Sequence, residues 1–207
     1  MVGFPEPNVE RLLNLTRILA NSSAETMTSA ELENITGSSS HTIRRDISYL
    51  GGDFSSGAGY GIEPLRKAIE TALGLDRRRK CCIVGLGRLG SALLNFSGFA
   101  EEGFDLVAGF DASVNRVEIL SSPVPLYPNY KLSEVIGRFG IEIALLCVPA
   151  ATAQSATEKL INAGIKGIVN FAPTALVVPG GISVRNVYVV DDLRALAAKL
   201  SSAESQQ

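Results

Sequence analysis

The stretch KCCIVGLGRLGSALLNF, Lys80–Phe96, decides the fold. It opens on an apolar run, Cys81–Val84, passes through Gly85-Leu86-Gly87-Arg88-Leu89-Gly90, and continues in a helical pattern. A GxGxxG between a strand and a helix is the turn of a dinucleotide-binding βα unit. The first glycine permits the tight turn. The second lets backbone approach a pyrophosphate, and the third lets helix and strand pack closely. The phosphates then rest on the helix N-terminus. The next apolar run, FDLVAGFD (Phe104–Asp111), ends in an acid 21 residues beyond Gly90. A carboxylate there hydrogen-bonds an adenosine ribose 2′-OH and disfavours a 2′-phosphate, so NAD(H) is expected over NADP(H). The alternative is a glycine-rich βα turn followed by an Asp that caps the next loop.

Toward the C-terminus the alternation continues. Val124–Leu126 reads as a short strand, Leu132–Phe139 as a helix and Glu142–Val148 as a buried strand. Ala151–Ala163 is helical, Gly167–Phe171 a strand, Ser183–Val190 extended and Asp191–Leu200 a final helix, with a frayed SSAESQQ tail. This predicts an α/β fold with a Rossmann-like, doubly wound parallel sheet and right-handed crossovers. Ligands bind beyond the C-terminal ends of such strands. Val148, Pro149 and Ala150 lie at one such end, and Asn170, Phe171, Ala172 and Pro173 at another. They are candidate cofactor contacts, and equally loops punctuated by proline.

Toward the N-terminus the character changes across the charged junction Asp76–Lys80. Asn8–Asn21 places Val9, Leu12, Leu13, Leu15, Ile18 and Leu19 on one helical face. Thr28 and Glu31 match a capping box and Gly37 a C-cap, which predicts a short helix over Ser29–Thr36. Ser39–Gly51 is a third helix with Ile43, Ile47 and Leu50 inward. The glycine-rich GGDFSSGAGYGI fits a hairpin wing, and Ile62–Leu73 is helical with Pro64 in its first turn. A short helix, a turn containing Gly and a helix with outward Arg and hydroxyl residues form a helix-turn-helix. Its second helix would enter the major groove, with Arg44 and Arg45 as anchors. Ser39, Ser40, His41, Thr42, Ser48 and Tyr49 complete the candidate DNA contacts on that helix, and Tyr60 adds one from the wing. The alternative is a helical hairpin with a solvated charged face. Residues 1–80 carry 10 basic and 10 acidic side chains, so tight binding would need a dimer presenting two recognition helices.

Composition narrows the rest. The 207 residues are 46% hydrophobic and 19% charged, with a net charge of −2. That excludes disorder and a protein-wide basic field. No apolar run is long enough to span a membrane. The N-terminal MVGFPEPNVERLL has no basic segment leading into an apolar core, so no secretory signal is expected. Three cysteines, Cys81, Cys82 and Cys147, cannot form a disulfide framework, which fits a reducing cytoplasm. Cys81 and Cys82 read as packing residues, and Cys147 sits near the expected cofactor mouth. With one histidine, His41, and no CxxC, no metal site is expected. No pairing of residues suited to catalysis stands out, and no proton donor for hydride chemistry. The pattern favours a sensor over a small NAD-dependent oxidoreductase.

The motifs taken in order resemble the Rex family of redox-sensing transcriptional repressors over about residues 8–200. The most specific are Thr42-Ile43-Arg44-Arg45-Asp46-Ile47-Ser48-Tyr49, Gly57-Ala58-Gly59-Tyr60, Leu93–Phe99 (LLNFSGF) and Asn170-Phe171-Ala172-Pro173. Gly74–Arg78 and Pro179–Ile182 add to them. The resemblance implies a cytoplasmic homodimer with no membrane contact. A winged-helix domain over 1–78 would bind a palindromic double-stranded operator. A Rossmann domain over 79–190 would bind NAD(H), and a C-terminal helix and tail over 191–207 would swap onto the partner. NADH binding releases DNA, whereas NAD+ permits binding, so target genes are derepressed as the NADH/NAD+ ratio rises.

Five positions depart from the family pattern. Ser55 and Ser56 stand where the wing carries a Lys-Arg pair, which would lower electrostatic affinity for DNA. Phe96 replaces a tyrosine. Tyr188 replaces an acid that pairs with an N-terminal-helix arginine, matched here by Arg17, and Val189 replaces an aromatic found in some members. The alternative they raise is a divergent DNA-binding regulator whose nucleotide switch is lost or altered.

Overall fold

A computed structural model describes residues 5–57 and 59–204. Ala58 of the wing motif and the last three residues of the tail lie outside them. The chain divides into two compact units, with the division between Arg77 and Arg78.

In the first unit α1 (Glu6–Ala20) carries Pro7 in its first turn and buries Leu12, Leu15 and Leu19. A short strand, β1 (Thr26–Met27), leads into α2 (Ser29–Thr36). The Thr28 hydroxyl accepts the Glu31 N–H at 3.2 Å, and the Glu31 carboxylate accepts the Thr28 N–H at 2.7 Å. This capping box pins the helix start, and left-handed Gly37 ends it. Helix α3 (Ser40–Ser48) follows, shorter than the Ser39–Gly51 expected, because Tyr49 and Leu50 close it in a turn. Strands β2 (Ser55–Ser56) and β3 (Gly59–Gly61) form the wing hairpin. β1 pairs with the other edge of β3, giving an antiparallel three-stranded sheet in the order β1-β3-β2. Helix α4 (Ile62–Leu73) ends on left-handed Gly74. Leu12, Leu15, Leu19, Leu32, Ile43, Ile47, Ile62, Leu65 and Ile69 close one core. Each such side chain contributes roughly 1.5–3 kcal/mol relative to exposure. The arrangement is a winged helix-turn-helix.

The second unit is a six-stranded parallel sheet. Its strands are β4 (Arg79–Val84), β5 (Phe104–Asp111), β6 (Leu126–Pro128), β7 (Ile143–Leu146), β8 (Gly167–Asn170) and β9 (Ser183–Asn186). The order is β6-β5-β4-β7-β8-β9, so the winding reverses between β4 and β7, the place where doubly wound sheets bind nucleotides. Side chains alternate between faces. Cys82, Val84, Ala108, Phe110, Ala144 and Leu146 pack with Leu132, Val135 and Ile136 of α8 (Leu132–Phe139) and Ala153 and Leu160 of α9 (Ala150–Asn162). Cys81, Ile83 and Leu145 pack on the other side with Leu86 and with Leu94 of α5 (Arg88–Leu94). Two short helices, α6 (Gly98–Glu101) and α7 (Val114–Ile119), fill connections that sequence periodicity leaves blank.

The last elements differ from expectation. The strand expected over Ser183–Val190 stops at Asn186, and α10 runs from Val189 to Glu204. The β-branched pair Val189-Val190 reads as strand but forms the helix's first turn. There Asp191 and Asp192 meet the positive end of the dipole. The domain boundary expected after residue 190 therefore falls inside α10, and Ser201–Glu204 of the tail are helical rather than frayed.

Candidate nucleotide and DNA sites

At the end of β4 the chain turns at Gly85, whose φ of +93° is left-handed. A Cβ there would lie 2.6 Å from the Cys147 carbonyl oxygen and 2.8 Å from Val148 Cγ1, so glycine is required twice over. A Cβ on Gly90 would fall 1.9 Å from the Gly85 carbonyl oxygen, which is how closely α5 packs on the turn. Gly87 behaves differently: nothing lies within 4 Å of its Cβ position. Its smallness opens space instead of relieving a contact.

That space belongs to a cleft of about 650 Å³ in the second unit. Ligand pockets run from about 300 to 1,000 Å³, so a dinucleotide fits. Of the expected cofactor residues, Gly85, Gly87, Asp111, Val148 and Pro149 line it. Arg88 and Leu89 are exposed in the first turn of α5, where no side chain caps the helix, and Ala150 is exposed at the start of α9. These three and Gly90 are outside the lining. The cleft also takes in Arg116, Asn129, Leu132, Thr152, Ser155, Ala156 and Lys159, which sequence reading missed. Four of these form one stripe of α9 at i, i+3, i+4 and i+7, a spacing visible in the sequence. Asn129 Oδ1 is buried there without a hydrogen-bond partner among the described residues.

Asp111 is 5% exposed and joins two loops. Its Oδ2 accepts the Leu86 N–H at 2.7 Å and its Oδ1 the Ser113 N–H at 2.8 Å. Arg116 Nη1 donates to both oxygens at 3.1 and 3.3 Å. Burial pushes the carboxyl up, but the two N–H donors and the guanidinium outweigh it and hold Asp111 below its ordinary range. Asp111 thus sits in the cleft wall and ties down the following loop.

The loop after β8 is also held from within. Asn170 is buried, its amide donating to the Thr174 carbonyl at 2.9 Å and Asn186 Oδ1 at 2.8 Å and accepting the Ala172 N–H at 3.0 Å. Gln154 of α9 exchanges two 3.0 Å bonds with the Val177 backbone. Phe171 packs into the α5-side core, Ala172 is buried and Pro173 is exposed. Outside the cleft lining, Asn170, Phe171, Ala172 and Pro173 shape the loop in this geometry. Burial pushes the Cys147 thiol, on the cleft wall, up to about 12, so it stays protonated at neutral pH and is a poor nucleophile. Cys81 and Cys82 are buried in the sheet, and the Cys81 thiol is pushed up to about 11.

In the first unit α3 is anchored from beneath. Arg11 donates to Asp46 through Nε at 2.6 Å and Nη2 at 2.9 Å, a bidentate pair that holds α3 to α1. Ser39 caps the helix by accepting the Thr42 N–H at 3.2 Å, and Ser40 bonds to the Glu33 carboxylate of α2. The Ser48 hydroxyl donates to the Arg45 carbonyl at 2.7 Å. These three hydroxyls therefore build the helix-turn-helix. His41, Arg44, Arg45 and Tyr49 face solvent, with Thr42 half-buried beside them. Arg45 lies over the Tyr49 ring, 6.0 Å from its centroid. Tyr60 is half-buried against the core beneath the wing. The outward side chains that can reach a duplex are chiefly cationic and aromatic.

Comparison with known proteins agrees with both units. A sequence model described as "CoA binding domain" matches residues 76–174. The redox-sensing transcriptional repressor Rex of Streptomyces avermitilis is 38% identical over 198 residues, covering 94% of this chain and 79% of the relative. That of Thermus thermophilus is 40% identical over 187 residues, covering 88% and 87%. Among solved structures, the Rex-family repressor RSP in complex with β-NAD+ and operator DNA superposes with a TM-score of 0.89. It shares 31% identity over 99% of this chain and 95% of that one. With this identity along nearly its whole length, the chain belongs to the Rex family of redox-sensing transcriptional repressors.

Proposed function

We propose that this protein is a redox-sensing transcriptional repressor that binds a palindromic operator and releases it when NADH binds. The observation that carries the reading is one chain holding both a dinucleotide-sized cleft at a sheet switch point and a capped recognition helix with outward Arg44 and Arg45. Gly85 and Gly87 admit the pyrophosphate and Asp111 faces the adenosine ribose, while α3 docks in the major groove. The dinucleotide supplies the redox signal and no bond-making step. The protein is read as a sensor acting in the cytoplasm, not as an enzyme. Among the described residues no helix is long and apolar enough to cross a membrane. NADH need only favour the state that does not bind DNA, and each tenfold of differential affinity is worth about 1.4 kcal/mol.

A homodimer completes the reading. Val189, Leu193, Leu196 and Leu200 form a stripe along α10, each more than half exposed. A helix with such a face requires a partner surface, and exchange between two copies supplies one. Two α3 helices would then offset the lack of net positive charge on each N-terminal unit, whose residues 1–77 carry 7 basic and 10 acidic side chains.

Asp111, already engaged by Arg116, and the tyrosine position held by Phe96 favour a second reading, a regulator with an altered switch. Fluorescence anisotropy on a labelled AT-rich palindrome, with NADH or NAD+ at fixed salt, separates the two. Binding lost with NADH and kept with NAD+ supports the redox repressor. Binding indifferent to both supports the altered switch.

A further inference from the structure

We propose that Asn129 reads the 6-amino group of the adenine base, so that the cleft takes a 6-aminopurine dinucleotide in preference to its 6-oxopurine counterpart. This rests on the reading of the cleft as a nucleotide site, and within that site Asn129 selects the base.

The order of residues across the sheet matches the order of groups along an adenine dinucleotide. Gly85 and Gly87 follow β4, Asp111 ends β5 and Asn129 follows β6, and all of them line the cleft. The three strands are neighbours, with Val84 in register with Phe110 and Asp111 with Pro128. Neighbouring strands lie about 4.8 Å apart. A pyrophosphate over the β4 turn and a ribose at the end of β5 therefore carry the base on to the end of β6. There the buried Asn129 Oδ1 accepts no hydrogen bond from any described residue. A buried acceptor left in that state is costly, and a donor brought by the ligand relieves it. The donor on an adenine ring is its exocyclic amine. The ribose hydroxyls also donate, but they fall one strand back, at Asp111. A 6-oxopurine puts a carbonyl oxygen where adenine has its amine, so two acceptors would face each other. Leu132 and Ala156 add apolar surface to the same lining, which suits the face of a purine. A site built to bond a donor rejects the analogue that lacks it, because its own polar group is then left unpaired.

Isothermal titration calorimetry on the full chain compares NADH with nicotinamide hypoxanthine dinucleotide in its reduced form, which differs only at the base. NADH is expected to bind about tenfold or more tighter, the equivalent of about 1.4 kcal/mol or more. This comparison needs no variant. Asn129→Leu removes the acceptor at similar size, and Asn129→Ala removes it without adding bulk. In either variant with wild-type circular dichroism, NADH should weaken and the hypoxanthine dinucleotide should stay within about threefold, so that the preference disappears. Equal binding of the two dinucleotides by the unaltered protein overturns the proposal. So does a preference that survives both substitutions. A loss shared equally by the two dinucleotides also overturns it, because it would place Asn129 against the ribose or in the fold rather than against the base. NADH that binds without preference defeats only the role of Asn129, whereas failure of both dinucleotides to bind defeats the reading of the cleft and the proposal with it.

Discussion

Replacing Arg11 by alanine leaves the Asp46 carboxylate at the base of the recognition helix without its cation. The Asp46 side chain is 5% exposed and that of Arg11 34%. Breaking a fully buried pair costs about 3–5 kcal/mol, whereas an exposed pair contributes about 0–1. One buried and one partly solvated partner place the loss near 2 kcal/mol, and water entering the vacated space keeps it from the upper limit. The energy resides in the anchoring of α3 to α1, so local opening of α3 should report it directly. Native-state hydrogen exchange read by mass spectrometry should show amides of Ser40–Ser48 exchanging about 30-fold faster in Arg11→Ala, the equivalent of 2 kcal/mol. Replacing both partners, Arg11→Met with Asp46→Leu, should recover most of the protection, because no buried charge remains unpaired. Acceleration below about threefold in the single variant, or a double variant worse than either single one, would refute the reasoning.

Four further outcomes are expected. Thr157 is fully buried on α9 and its hydroxyl has no partner among the described residues, so Thr157→Val should stabilise the protein by up to about 1 kcal/mol in urea titration, and a lower midpoint would count against this. Gly90→Ala must displace α5 from the Gly85 carbonyl. It should cost about 1–3 kcal/mol and abolish NADH binding, and retention of wild-type NADH affinity would contradict the packing argument. Asp111 is held below its unfolded value near about 3.9. Its stabilising contribution is therefore present above that pH and lost as pH falls through the depressed value. Asp111→Asn should flatten the acid limb of the stability profile, and an unchanged limb would show that the carboxylate contributes nothing. Arg45→Ala should lower operator affinity at least about tenfold with NADH affinity unchanged, and full retention would remove Arg45 from the interface.

The elements legible in the sequence are those whose signals are local. Ser29–Thr36 was readable because its start and stop are chemical: a reciprocal Thr–Glu cap and a glycine that can adopt positive φ. Ile62–Leu73 and Phe104–Asp111 were equally plain from periodicity and flanking residues. Strand β1 was not, because two residues carry no period and Thr26–Met27 is extended only through pairing with β3, more than thirty residues away. Val189-Val190 misled because β-branched propensity is a weak prior that a helix start overrode.

At the nucleotide cleft the sequence determined the turn. Spacing and the absence of Cβ atoms are properties of the chain itself, so Gly85, Gly87 and Gly90 announced a backbone that closes tightly and leaves room. Likewise the inward stripe of α3 followed from helical period alone, and with it the outward set that includes Arg44 and Arg45. Tertiary structure decided what each polar group is free to do. It engaged the hydroxyls of Ser39, Ser40 and Ser48 in capping and helix contacts, closed Asn170 on its own loop, brought Arg11 to Asp46, and set Arg116 against Asp111 beside a wall from α9. Hydrogen bonds are satisfied by whichever donor folding brings within about 3 Å, and no local pattern in a sequence records that distance.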